Sequence, residues 1–343
     1  MPDVNLKING VNYGGWNSVR VTRGIEQIAG SFELAVTDKW SGHAPMSIKP
    51  GDRCQVLIGS EQLIDGYVDD RGVEYSRDAH SITITGRDAT GDLVDCSSAI
   101  KQTKGQDLFR IATDACKPFG ITVTKDADIG KVFADEYAEP GQSVFELLST
   151  LAGHRGVLLV SDGKGGLKIT KEGTASAPSA LVFGENIETC SARDSLRDRF
   201  KTYTAMYQPA QSNQSYGTPA TQLKAVEKDA GVGRYRPLTV LADEGGDLAK
   251  KAKYERNVRA GRARSITYTV TGWLADGQQL WQPNTRVLVT DPNQEPVLAN
   301  TPMLITTCTY IRDDQGTRTE LAVVRPGAFD VLATPEAQST GGF

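Results

Sequence analysis

Ser31-Phe32-Glu33-Leu34-Ala35-Val36-Thr37 alternates apolar and polar side chains, with Phe32, Leu34 and Val36 on one side of an extended chain. A period of two is the pattern of a strand with one face buried and one wet. Ser265-Ile266-Thr267-Tyr268-Thr269-Val270-Thr271 repeats it at an offset of 234. Pro283-Asn284-Thr285-Arg286 then repeats Pro50-Gly51-Asp52-Arg53 at an offset of 233, and a Leu-Ile pair follows in both places, Leu63-Ile64 and Leu304-Ile305. That spacing is far longer than a solenoid repeat, so the chain reads as two copies of one β domain.

Around the first copy, short runs at Cys54 to Ile58, Gln62 to Val68 and Ser81 to Thr85 are separated by Pro50-Gly51-Asp52, Gly59-Ser60 and Arg71-Gly72. Many short strands with such punctuation predict a small barrel or sandwich. The expected fold is therefore a β-rich α+β multidomain chain, with two related small β-barrel domains and α+β domains inserted between them. Its expected parts are a β domain over 1–97, α+β material over 98–180, strands with a long loop and a basic helix over 181–264, a second β domain over 265–332 and a flexible tail over 333–343.

Inside the insertion, Leu108, Ile111, Ala112 and Ala115 recur at helical spacing and stop before Pro118. Ser143-Val144-Phe145-Glu146 is a capping box, in which the Ser and Glu side chains satisfy free backbone N–H groups reciprocally; Val144, Leu147, Leu148 and Leu151 supply that helix's buried face. Val157 to Val160 and Leu167 to Thr170 flank a glycine-rich turn, Ser161-Asp162-Gly163-Lys164-Gly165-Gly166, and predict a hairpin. Residues 174–180 read as a linker and 208–222 as an exposed contact loop. Asp247 to Ala263 predicts a helix carrying Lys250, Lys251, Lys253, Arg256, Arg259 and Arg262 against Asp247 and Glu255.

The formal charge of −4 conceals a pattern. Residues 1–97 carry −5, 98–180 are balanced, 181–264 carry +5 and 265–343 carry −4, so acidic ends flank a basic centre. The longest aliphatic run is Val157 to Val160, too short to cross a bilayer. The N-terminus lacks the cationic start and apolar core of a signal peptide, which predicts folding in a cytoplasm. Five scattered cysteines (Cys54, Cys96, Cys116, Cys190, Cys308) read as small buried hydrophobes, and His43, His80 and His154 have no neighbour at metal-ligand spacing.

Catalytic signatures fail on their own requirements. Gly163 to Gly166 lacks the Lys-Ser or Lys-Thr ending of a phosphate loop. Gly231-Val232-Gly233 has neither a third glycine nor a preceding strand, and there is no nucleophile elbow. Acidic doublets at Asp69-Asp70, Asp135-Glu136, Asp243-Glu244 and Asp313-Asp314 are weak glycosidase candidates, because adjacent strand residues face opposite ways. The basic helix has one aromatic residue, Tyr254, and an acidic chain around it, which favours docking against an acidic neighbour over nucleic-acid recognition.

An ordered set of motifs carries a resemblance. Gly66-Tyr67-Val68-Asp69, Gly86-Arg87-Asp88-Ala89-Thr90-Gly91-Asp92-Leu93-Val94-Asp95, Pro118-Phe119-Gly120, Arg234-Tyr235-Arg236-Pro237-Leu238, Thr271-Gly272-Trp273 and Leu280-Trp281-Gln282-Pro283-Asn284 resemble the central baseplate hub of Mu-like contractile phage tails over about residues 10–330. The resemblance implies a homotrimer that forms a ring around an axial channel, adapting a sixfold tail tube to a threefold spike. Implied partners are a separate spike protein, the tail tube and other baseplate proteins, with transient, non-specific DNA passage and no stable membrane insertion. It implies no cofactor, metal or catalytic residue. Acidic barrels lining the channel would repel passing DNA. Arg256, Arg259, Arg262 and Arg264 are the expected subunit or baseplate contacts. A pyocin-like or contractile secretion particle is the alternative within this class, and a glycan-binding β protein, motivated by Trp16, Trp40, Trp273 and Trp281, the alternative outside it. Core packing is the simpler use of those tryptophans.

Overall fold

The computed structural model describes residues 2–37, 47–77, 80–100, 102–207, 223–241 and 248–329. The expected loop over 208–222, the tail over 333–343, Trp40, His43, Asp243-Glu244 and Asp247 lie outside them.

The first β unit contains β1 (Val4–Ile8), β2 (Val11–Tyr13), β3 (Ser18–Gly24), β4 (Ser31–Thr37), β5 (Arg53–Ile58), β6 (Glu61–Tyr75) and β7 (His80–Asp88). A short helix α1 (Asp92–Asp95) leads into the insertion: β8 (Gln102–Gln106), α2 (Leu108–Cys116), β9 (Val123–Lys125), β10 (Phe133–Tyr137), α3 (Val144–Arg155) and the hairpin β11 (Leu158–Ser161) and β12 (Leu167–Thr170). Helix α3 carries the full capping box, with Ser143 Oγ accepting from the Glu146 N–H and Glu146 accepting from the Ser143 N–H. Leu108, Ile111, Ala112 and Cys116 of α2 meet Val144, Leu147, Leu148 and Leu151 of α3 in a core of their own. Burying each such leucine contributes about 2 kcal/mol.

Two strands then return to the main sheet, β13 (Leu181–Val182) and β14 (Ile187–Asp194), before a separate three-stranded sheet of β15 (Thr202–Tyr207), β16 (Leu223–Lys228) and β17 (Pro237–Leu241) covered by α4 (Leu248–Arg262). The second β unit closes the chain with β18 (Arg264–Thr271), β19 (Arg286–Asp291), β20 (Leu298–Asp313) and β21 (Gly316–Val324). Although β13 and β14 come from the 181–264 stretch, they pair with β19 and β18. The second unit is thus interrupted by the β15–α4 segment, just as a strand hairpin tolerates a long insertion at modest entropic cost.

All strands of both units form one 13-stranded sheet, in the order β14-β18-β21-β20-β3-β4-β7-β6-β5-β1-β2, with β19 on β20 and β13 on β19. The expected pair of barrels is therefore realised as two related units sharing a sheet, and the described pairing does not join its ends. Their relationship is register-true. In β6 and β7 the pairs Val68–Gly86 and Asp70–Thr85 skip Asp69; in β20 and β21 the pairs Ile305–Val323 and Thr307–Ala322 skip Thr306. The same bulge recurs at an offset of 237. Carrying this through the neighbouring ladders equates Glu33 with Thr267, the offset of 234 in the sequence repeat, and Arg20 with Ser191.

Trp16, Trp273 and Trp281 are buried in the core, so three of the four tryptophans serve packing. The cysteines divide: Cys54, Cys116 and Cys308 are buried, whereas Cys96 and Cys190 are exposed, which corrects the expectation of five buried thiols. Cys96 follows the short α1, and Cys190 lies on an edge strand with a partner on one side only, where a neighbour to bury it is missing from the chain's own described strands.

Candidate functional site

The two β units meet strand to strand. Gly24 to Val19 of β3 run antiparallel along Thr307 to Arg312 of β20, pairing Arg20 with Ile311 and Val21 with Tyr310. Val19, Val21, Cys308 and Tyr310 are buried on one face of this junction. On the other, Thr22 and Thr309 place their hydroxyls 3.2 Å apart. Arg20 reaches across to Glu320 at 3.3 Å. Strand β20 is long enough to be shared: its first half holds β19, its second half holds β3.

Strand β6 is equally long, and its first half holds β5. Along its second half, Asp70 to Tyr75, β7 pairs on one side and no described strand on the other. Strand β14, the counterpart of β3, pairs with β18, and along Cys190 to Asp194 no other described strand lies beside it. Both edges are exposed. The duplicated fold thus has one filled junction and the two halves of a second.

Close packing near the filled junction explains part of the motif pattern. A Cβ at Gly86 would stand 2.2 Å from the Tyr67 carbonyl oxygen and 2.6 Å from the Phe32 ring; one at Gly66 would stand 1.9 Å from the Arg87 carbonyl oxygen. In the second unit the Phe32–Gly86 pair becomes Ile266–Val323, a redistribution of volume across the same ladder position. Asp88, at the end of β7, is buried where the insertion rests on the first unit: Ser161 Oγ donates to it at 2.6 Å and the Asp65 N–H at 3.1 Å. Burial pushes its carboxyl up to about 6, against the pull of these hydrogen bonds and of Arg23.

The four sequence-selected arginines come together on or beside α4, but each is occupied within the chain. Arg256 lies 3.4 Å from Glu227, and Arg259 lies 3.1 Å from Glu255 and over the Phe200 ring. Arg262 donates to the Ala328 carbonyl and covers the Phe329 ring. Arg264 is buried, donating to Gln294 and to the Glu295 carbonyl, with its Nε 3.6 Å from Asp194. These contacts hold α4 between the small sheet and the second β unit, beside a cleft of about 440 Å³ that Asp194, Arg199, Arg264 and Pro326 help to line. A basic sequence stretch overstates free charge when its partners are distant in sequence, as Glu227 is here.

Two of the acidic doublets, Asp69-Asp70 and Asp313-Asp314, each supply a carboxylate to structure. Asp69 and Asp95 share Arg87 at 2.7 Å each, and Asp313 forms a bidentate pair with Arg318 that holds its carboxyl below the usual range. Asp229 accepts two hydrogen bonds from Arg199, which likewise lowers its pKa. Among the described residues no three His, Cys, Asp or Glu side chains cluster as a metal site, and no helix is long and apolar enough to cross a membrane. What the geometry offers is a pair of open strand edges.

Sequence reasoning missed β14. Its residues, Ile187-Glu188-Thr189-Cys190-Ser191-Ala192-Arg193-Asp194, carry little apolar alternation, and only alignment of β18 with β4 signals that a counterpart of β3 must precede it.

Comparisons with known proteins agree along the chain. Residues 3–88 match the N-terminal domain of Mu phage baseplate assembly protein GpP-like proteins, residues 90–171 the second domain of baseplate hub protein gp44-like proteins, and residues 247–332 the fourth domain of Mu phage baseplate assembly protein GpP. The baseplate hub protein gp44 of Escherichia phage Mu is 32% identical over 99% of this chain and 92% of its own. The 43 kDa tail protein of prophage MuSo2 from Shewanella oneidensis is 37% identical, with a TM-score of 0.85 over 96% of this chain and all of its own. A type VI secretion component, the E. coli c3393 protein, shares the fold at 10% identity, with a TM-score of 0.57 over 96% of this chain and 80% of its own. With similarity to gp44 extending over nearly its whole length, the chain belongs to the baseplate hub family of Mu-like phage tails.

Proposed function

We propose that the chain is the structural hub of a contractile phage tail baseplate, three copies of which form a ring around an axial channel for DNA. Two β units per copy give six related positions facing the tail tube, while the copies themselves repeat three times towards a separate spike protein; such a ring adapts one symmetry to the other. The observation that carries this reading is the β3–β20 junction, because a chain that joins its own duplicated units edge to edge and leaves the matching edges open is built to continue. The reading assigns the chain no catalysis and no cofactor, and its place is the virion tail, assembled in the host cytoplasm.

The two β units are the acidic parts of the sequence, and their facing the channel would keep the passing DNA from adhering. The role of Arg256, Arg259, Arg262 and Arg264 at subunit or baseplate contacts is, in this reading, to fix the surface that α4 and the small sheet present. Mass measurement of the chain alone and with its cognate spike tests the ring: a trimer in either sample is expected, and a monomer in both overturns it. A lumen that proves strongly positive would remove the electrostatic part alone.

A further inference from the structure

We propose that the open edge of β14 in one copy pairs antiparallel with the open edge of β6 in the next, in a register fixed by the chain's own β3–β20 junction: Arg71 opposite Asp194, Gly72 opposite Arg193, Val73 opposite Ala192, Glu74 opposite Ser191 and Tyr75 opposite Cys190. The partner is a second copy of this chain. The inference rests on the ring reading for the number of copies, but its register is drawn from this chain alone.

The register follows from the duplication. The repeated bulge equates Thr307 to Arg312 of β20 with Asp70 to Tyr75 of β6, and the ladders through β4 and β18 equate Val19 to Gly24 of β3 with Cys190 to Ser195. Since Ile311 pairs with Arg20 within the chain, Glu74 pairs with Ser191 between copies. An interface of this kind is head-to-tail, the class that generates closed rings.

Three observations favour that occupant. First, the edge of β6 holds large apolar side chains in the open beside the charged Asp70, Arg71 and Glu74: Val73 is 41% and Tyr75 82% exposed, on a strand whose backbone donors and acceptors are a template for pairing. They fall on the face that, in the filled junction, buries Tyr310 against Val21. Second, the charges fit. Arg71 meets Asp194, whose carboxylate already faces buried Arg264, and Arg193 stands opposite Gly72 with Asp70 and Glu74 as its diagonal neighbours. Third, a one-residue slip in either direction turns Val73 and Tyr75 to the wrong face of the partner strand, and one of the two also opposes like charges. Slipping so that Arg71 opposes Arg193 sets Asp70 against Asp194, two like-charged pairs.

The test is disulfide trapping in the full-length chain, with the exposed Cys96 and Cys190 replaced by serine. Val73→Cys with Ala192→Cys should give covalent oligomers, whereas the offset pair Val73→Cys with Arg193→Cys, whose side chains point to opposite faces, should give at least about tenfold less. Hydrogen exchange of the unmodified protein supplies the second readout: amides within 71–75 and 190–194 that lack an intrachain partner should be protected in the oligomer and lose protection on dilution. Equal trapping by both pairs, or trapping by neither, overturns the register, as does unchanged exchange at both edges in an oligomer. Mass measurement of the untrapped protein separates the two failures. An oligomer without the matched trap sinks this interface and leaves the ring standing, and a monomer with and without spike sinks both.

Discussion

Strands β3 and β14 occupy the same place in the two β units, yet one is covered on both sides and the other on one. Their sequences differ accordingly. In β3, Val19 and Val21 are buried, while the equivalent Cys190 and Ala192 in β14 are small and exposed. The difference teaches that burial in a duplicated fold is set by what stands at the edge, and not by the repeat itself. The same contrast runs through the ladder position Phe32–Gly86 and its counterpart Ile266–Val323, where an aromatic ring over a glycine replaces two β-branched side chains.

The largest effect should come from forcing the first unit to resemble the second. Gly86→Val places methyl groups against the Tyr67 carbonyl and the Phe32 ring, and is expected to cost about 4 kcal/mol or to prevent folding. Adding Phe32→Ile should recover only part of that loss, since the carbonyl contact remains. Full recovery, read from denaturant melts, would mean that the units are interchangeable at this position.

Two buried or half-buried carboxylates offer the next comparison, because their pKa values move in opposite directions. Asp229, held down by Arg199, contributes stability above the ordinary carboxylate range that is lost as pH falls through its lowered value. Arg199→Ala leaves that carboxylate without its partner and should cost about 3 kcal/mol at neutral pH. A loss below about 1 kcal/mol would show that water replaces the arginine.

Asp88 has the reverse sign. Its folded pKa of about 6 lies above the ordinary 3.8, so the folded chain binds the extra proton and its contribution is full at low pH and lost as pH rises from about 4 to 6. Asp88→Asn keeps an acceptor for the Asp65 N–H but turns its amide donor towards Ser161, whose hydroxyl must then accept where it now donates, and should flatten the stability profile across that window by about 3 kcal/mol. An unchanged slope would place the titrating group elsewhere.

How far these features were legible in the sequence follows from the range of the interactions involved. The offset of 234 between Ser31 and Ser265 was legible because alternation is local, and the capping box at Ser143 because its partners are three residues apart. Strand β14 was not, because an edge strand made of small and charged residues has no local apolar signature. The occupied state of Arg256 and Arg262 was hidden for another reason: Glu227 and Ala328 reach them only through the tertiary fold.

The smallest expected effect tests the filled junction itself. Arg20 crosses from β3 to Glu320 on β21, but Arg20 is exposed and Glu320 only half-buried. Solvent screens such a charge pair, and holding two long side chains in one geometry costs entropy, so Arg20→Ala should remove less than about 1 kcal/mol. The loss should shrink further in molar salt, where the screening length falls to about 3 Å. If it instead exceeds about 2 kcal/mol, or survives high salt, the pair is not a surface ornament of the β3–β20 seam but part of what holds the two units together. The open edges would then need a comparable charge pair to assemble. Arg71 and Asp194 are the residues that could provide one; because Asp194 also faces buried Arg264, the clean variant is at Arg71, whose substitution should cost the monomer little and the oligomer more.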